Sequence, residues 1–92
     1  MNLKEFLKKN GVTISIHSYI NIETDDIRWS AEFYNCQIKI KEDNMLTKPA
    51  TGFGSTPNEA IDQLLTKLEG HYLEINAHSS FSRVIKVDTI TY

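Results

Sequence analysis

Hydrophobic and polar positions divide the chain into two helical stretches and several stretches of period two. Leu3, Phe6 and Leu7 recur at helical spacing among Lys4, Glu5, Lys8 and Lys9, and Asn10-Gly11 supplies a left-handed stop, which predicts a short amphipathic helix. Over residues 12–20 the period falls to two, with Ile14, Ile16 and Ile20 on one face and Thr13, Ser15, His17 and Tyr19 on the other, the pattern of a half-buried strand. Polar residues 21–26 read as a hairpin connection, after which Ile27, Trp29, Ala31 and Phe33 alternate with Arg28, Ser30, Glu32 and Tyr34. Asn35-Cys36 reads as a tight turn into residues 37–41, where Ile38 and Ile40 alternate with Lys39 and Lys41. These three strands predict an antiparallel meander.

Residues 42–50 are polar and contain Pro49, with Met45 and Leu46 as anchors, so they predict a loop with room for a short edge strand leading into residues 51–54. The strongest local signal comes next. Thr56 can cap a helix with its hydroxyl, Pro57 suits the first helical position, and Glu59 stands where a capping box places its carboxylate. The helix so opened carries Ala60, Ile61, Leu64, Leu65 and Leu68 on one stripe, with Asp62, Gln63, Thr66, Lys67 and Glu69 facing water, and Gly70 ends it. Residues 71–75 and 84–90 are two further extended candidates, separated by the polar loop 76–83. The expected fold class is α+β: an antiparallel sheet of three to five strands with two helices packed on it, in the order α-β-β-β-α-β. Each strand has a single apolar face to cover, so one domain over residues 1–92 accounts for the chain.

Composition narrows the function more by exclusion than by indication. Ten Lys plus Arg against twelve Asp plus Glu give a net charge of -2, so no overall field draws the domain to a phosphate backbone or an anionic lipid surface. The start of the chain is charged and amphipathic and lacks the apolar run of a signal peptide, and no apolar run approaches transmembrane length. Cys36 is the single cysteine and cannot close a disulfide within the chain, which suits the cytoplasm. No membrane partner is expected.

The candidate chemistry is thin. His17, His71 and His78 with Glu74 are metal-ligand types, but no two histidines stand three or four residues apart, and no metal is expected. Cys36 is in phase with Ile38 and Ile40, as a small buried hydrophobe would be. Ser79, Ser80 and Ser82 beside His78 lack the strand-to-helix elbow that presents a serine nucleophile. Gly52-Phe53-Gly54 before a helix start could face an anion, yet it completes neither a dinucleotide-binding nor a P-loop pattern and reads as a turn allowing close packing of strand and helix. Trp29 is in phase with Ala31 and Phe33 and is expected inside. No catalytic residue and no cofactor are predicted. The outward strand positions hold Tyr19, Arg28 and Tyr34, with His17 beside them, residue types that supply contact energy at interfaces. They are the expected partner-binding residues.

The junction Gly52-Phe53-Gly54-Ser55-Thr56-Pro57-Asn58-Glu59-Ala60, set in this order of elements, resembles the strand-to-helix junction of the double-stranded RNA-binding domain and, less closely, of HicB-type antitoxins. That family relies on lysines at the helix start to reach phosphates, where this chain has Pro57, Asn58 and Glu59. A broader pattern is similar to small uncharacterised proteins of bacteriophage early regions: Trp29-x-Ala31-x-Phe33, Gly52-x-Gly54-x-Thr56-Pro57-x-Glu59-Ala60-Ile61, Gly70-x-x-Leu73 and Arg83-x-Ile85-x-Val87. It covers the last two-thirds of the chain. This resemblance implies a non-enzymatic binding protein, an anti-CRISPR-like inhibitor of a bacterial defence or host protein, acting in the host cytoplasm, with homo-oligomers left open. Two alternatives from other classes are a nucleic-acid-binding module of the double-stranded RNA-binding type, which the charge opposes, and a sponge for a small signalling nucleotide.

Overall fold

A computed structural model describes residues 1–41 and 46–92. The elements run α1 (Leu3–Asn10), β1 (Ile14–Asn21), β2 (Asp26–Lys39), β3 (Thr47–Gly54), α2 (Pro57–Leu68), β4 (Tyr72–Ile75) and β5 (Arg83–Lys86), an α+β fold with one five-stranded antiparallel sheet. β2 is its spine. β1 pairs with the first part of β2, β4 pairs with the last part, β5 extends the sheet beyond β4, and β3 pairs with β2 as well. β2 is the longest element, with 14 residues, in a molecule 40 Å along its longest axis.

Both helices cover the same face of the sheet. Phe6 of α1 stacks on Phe33 with ring centroids 5.8 Å apart. From α2, Ala60, Ile61, Leu64, Leu65 and Leu68 are all buried, and with Ala31, Ile38, Leu73 and Ile75 they form most of the core. α2 lies so close to β3 that a Cβ on Gly52 would meet the backbone of Ala60 and Leu64. The glycines at 52 and 54 are therefore packing residues, as the junction predicts. Thr56 Oγ1 accepts the Glu59 N–H at 3.1 Å, and Pro57 opens the helix. The Glu59 carboxylate reaches one residue further back than in a capping box and accepts the Ser55 N–H at 2.7 Å. In α1, Gly11 adopts the left-handed conformation, with φ 65°, that the Asn10-Gly11 stop requires.

Three expectations about the strands need correction. First, Asn35-Cys36 is not a turn. β2 runs straight through it as one strand, with an irregularity between Glu32 and Gln37 and Asn35 at φ 56°. Phe33 and Cys36 both point to the core, so the apolar phase shifts by one residue. A β-bulge produces that shift without reversing the chain, and β3 pairs with β2 on both sides of it. The third strand of the meander is thus Thr47–Gly54, and Ile40, expected inside, is exposed.

Second, β1 is not half-buried along its length. Ile20 is 63% and Ile27 64% exposed, and Ile16 is exposed as well, because α2 sits over β3 and the middle of β2 while the β1–β2 hairpin projects beyond it. The hairpin turn raises Ile22 to 94% exposure. Third, the last strand stops at Lys86 rather than reaching residue 90. Of the two expected loop anchors, Leu46 is exposed and Met45 lies outside the described residues.

The outer edge of β3 is covered from α2 at Thr51 and Phe53. Gln63 accepts the Phe53 N–H and Lys67 donates to the Thr51 carbonyl at 2.8 Å, both from α2. Pro49 has the same parity as Thr51 and Phe53, so the position that lacks an N–H also points outward, which is where an edge strand tolerates proline.

Candidate interaction surface

The face of the sheet opposite the helices carries the outward side chains of the hairpin. Register places Tyr19 opposite Arg28, His17 opposite Ser30 and Ser15 opposite Glu32. On the other side of β2, Phe53 lies opposite Ser30 and Thr51 opposite Glu32. Residues facing each other across an antiparallel pair share a face, so these side chains form one surface. Tyr19 reaches across small Ser30 to meet Phe53 edge-on, with centroids 6.3 Å apart and planes at 86°. Arg28, beside them, donates from a guanidinium nitrogen to Ser55 Oγ at 2.9 Å. Two exposed rings and a tethered guanidinium on paired strands make a preformed patch, with little side-chain freedom left to lose on contact.

Of the three partner-binding residues expected from the sequence, the structure brings Tyr19 and Arg28 together. Tyr34 is on the same face and 68% exposed, but it lies six residues further along β2, about 20 Å away, beside the bulge. Phe53 completes the patch and was missed, because between two glycines it resembles part of a turn. The signal was present: small residues at 52 and 54 with an aromatic between them is period two with the inner face emptied for a helix.

The remaining charged groups on this face alternate in sign. Asp26, Arg28, Glu32 and Lys39 follow along β2, with Glu74 and Lys86 on the neighbouring strands, and Lys86 Nζ rests 5.7 Å above the Tyr72 ring. Such alternation gives no extended field of one sign. At the start of α2, the Glu59 N–H is taken by Thr56 Oγ1 and the Ser55 N–H by the Glu59 carboxylate, which puts a negative charge where a phosphate would sit.

Cys36 is buried at the bulge, where its thiol donates to the Tyr34 carbonyl at 3.3 Å. Desolvation pushes the thiol pKa up, against smaller lowering influences from a backbone hydrogen bond with Asn76 and the charge of Arg83. A thiol held protonated is a poor nucleophile. His78 lines the same cleft of about 380 Å³, alongside Glu32, Tyr34 and Pro49. His17 is exposed on β1, while His71 follows α2 and is partly buried. Among the described residues, no three His, Cys, Asp or Glu side chains come together as metal ligands would. Among the described residues, no helix is long and apolar enough to cross a membrane.

Compared with known protein families, curated proteins and solved structures, the chain finds no match.

Proposed function

We propose that this is a non-enzymatic binding protein that covers the surface of another protein through the Tyr19, Arg28 and Phe53 patch. The observation that carries this reading is the arrangement of those three residues: aromatic and arginine side chains, the types that dominate binding hot spots, held ready on rigid strands. The partner we propose is a bacterial defence or host protein, met in the bacterial cytoplasm and inhibited by being covered. That part of the proposal rests on the resemblance of the sequence pattern to phage early-region proteins and on analogy with how such proteins act. A nucleic-acid or nucleotide ligand ranks lower because of the alternating charges and the carboxylate at the start of α2.

Affinity capture from infected or defence-bearing bacterial lysate, followed by mass spectrometry, tests this with wild type beside Tyr19→Ala, Arg28→Ala and Phe53→Ala, each checked for folding. At least one substitution should weaken capture of the same partner by about 2 kcal/mol or more. Undiminished capture by all three would place the interface elsewhere. Loss of a substrate turnover in a folded His17, His71, His78 or Cys36 variant that keeps its partner would overturn the non-enzymatic reading.

A further inference from the structure

Among the described residues, no strand pairs with the free edge of β1, and its sequence is symmetric. In an antiparallel ladder, residues alternate between those whose N–H and C=O face one neighbour and those whose groups face the other. Phe53 N–H and Thr51 C=O point away from β2, so their partners Ser30 and Glu32 direct their own groups toward β1. The Tyr34 N–H, which bonds to the Thr13 carbonyl at 2.8 Å, is in the same phase. Hence Thr13, Ser15, His17 and Tyr19 bond to β2, and Ile14, Ile16, Ser18 and Ile20 turn their backbone groups outward. Among the described residues, no strand pairs with that edge. β1 has no Pro, Lys, Arg, Asp or Glu, the residues with which proteins usually block an edge.

Ile14-Ser15-Ile16-His17-Ser18-Tyr19-Ile20-Asn21-Ile22 reads the same in character from either end, with Ser18 at its centre. We propose that β1 pairs with β1 of a second copy of this chain, antiparallel about a two-fold axis at Ser18. The register then sets Ile16 against Ile20 of the second copy, Ser18 against Ser18, and His17 against Tyr19. Each of these pairs is made twice except the central one. All outward backbone groups from Ile16 to Ile20 find partners, because even positions meet even positions. Two five-stranded sheets become one of ten strands. On the helix side the exposed isoleucines of both hairpins form one continuous row, and on the open side the two Tyr19 and Phe53 patches stand next to each other. An isologous contact of this kind closes on itself and stops at two. It does not depend on the function proposed above, since it uses the strand edge rather than the patch.

Sedimentation velocity over a concentration series tests the proposal. Wild type should move from one chain of 10.6 kDa toward twice that mass as concentration rises. Ser18→Pro removes an N–H that β2 does not use, so the hairpin should keep its fold while dimerisation weakens about tenfold or more. Ser18→Lys, which sets two like charges opposite each other, should do the same and serves if the proline variant does not fold. Ser18→Cys should form an intermolecular disulfide on mild oxidation, because hydrogen-bonded antiparallel partners have Cα atoms about 5.5 Å apart, within disulfide range; Thr24→Cys in the turn should not. Wild type that stays at a single chain's mass up to about millimolar concentration overturns the proposal and leaves the edge to a strand of another protein. A dimer unaffected by both Ser18→Pro and Ser18→Lys would also overturn it.

Discussion

β1 and β3 are both eight-residue strands flanking β2, yet they are finished in opposite ways. Along β3, Gln63 and Lys67 of α2 hold two outward backbone groups, the Phe53 N–H and the Thr51 carbonyl, Pro49 removes another, and two glycines let the helix lie close enough to do so. Along β1, among the described residues, no strand meets the outward backbone, the side chains on both faces from Ile16 to Ile20 are exposed, and no charge interrupts the strand. An unguarded edge can pair with another strand. The fold thus separates a covered half, where α2 meets β3 and β2, from a projecting half made by the hairpin.

The sharpest way to break this contrast is to undock α2. Leu64 is fully buried against β3, and Leu64→Ala should cost about 2–5 kcal/mol, measured from the denaturant midpoint at unchanged slope. A near-wild-type midpoint would mean that α2 is not what holds the covered half together. Thr56→Ala removes the hydroxyl that accepts the Glu59 N–H and should cost about 1 kcal/mol in the same assay. No change there would show that the helix starts elsewhere.

On the other half, isoleucine should matter little to stability. Ile27→Ala, at a dilution where the chain is a monomer, should change the unfolding free energy by no more than about 0.5 kcal/mol, although Ile27 stands in the same alternating row as buried Phe33. A loss of 2 kcal/mol or more, the size expected of a core site, would mean that something covers the hairpin within one chain.

The smallest effect lies at the bulge that joins the halves. Burial holds the Cys36 thiol above its ordinary pKa of 9.0, so the folded state keeps its proton at a pH where the unfolded chain loses it. The sign follows: stability from this group is intact below pH 9 and falls as pH rises above it. Cys36→Ala should flatten that alkaline decline. An identical pH profile in the variant would assign the decline to other groups.

What could be read from the residues follows the same division. α2 was legible in its start and its buried stripe, because Thr56-Pro57-x-Glu59 and five apolar positions at helical spacing are local signals, and all five of those positions are buried. The continuity of β2 was not, since a one-residue phase shift looks alike whether the chain turns or bulges. Only the pairing of β3 across both sides decides between them. β3 was legible only as room for a short edge strand leading into residues 51–54, because glycines, a proline and lysine replace the usual alternation where a helix must lie close. At the candidate surface, outward Tyr19 and Arg28 followed from periodicity. Phe53 and the bare isoleucines did not, because neither ring contact nor the reach of a helix is written in a strand's own pattern.

Amide hydrogen exchange followed by NMR on dilute protein tests the difference between the two edges most directly. The Phe53 N–H, held by Gln63, should exchange slowly, while the N–H groups of Ile16, Ser18 and Ile20 exchange at rates close to those of an unstructured chain. As concentration is raised, those three should become protected together while Phe53 stays as it was. Protection of Ser18 equal to that of Phe53 at every dilution, or exposure of both, would contradict a sheet with one sealed and one open edge.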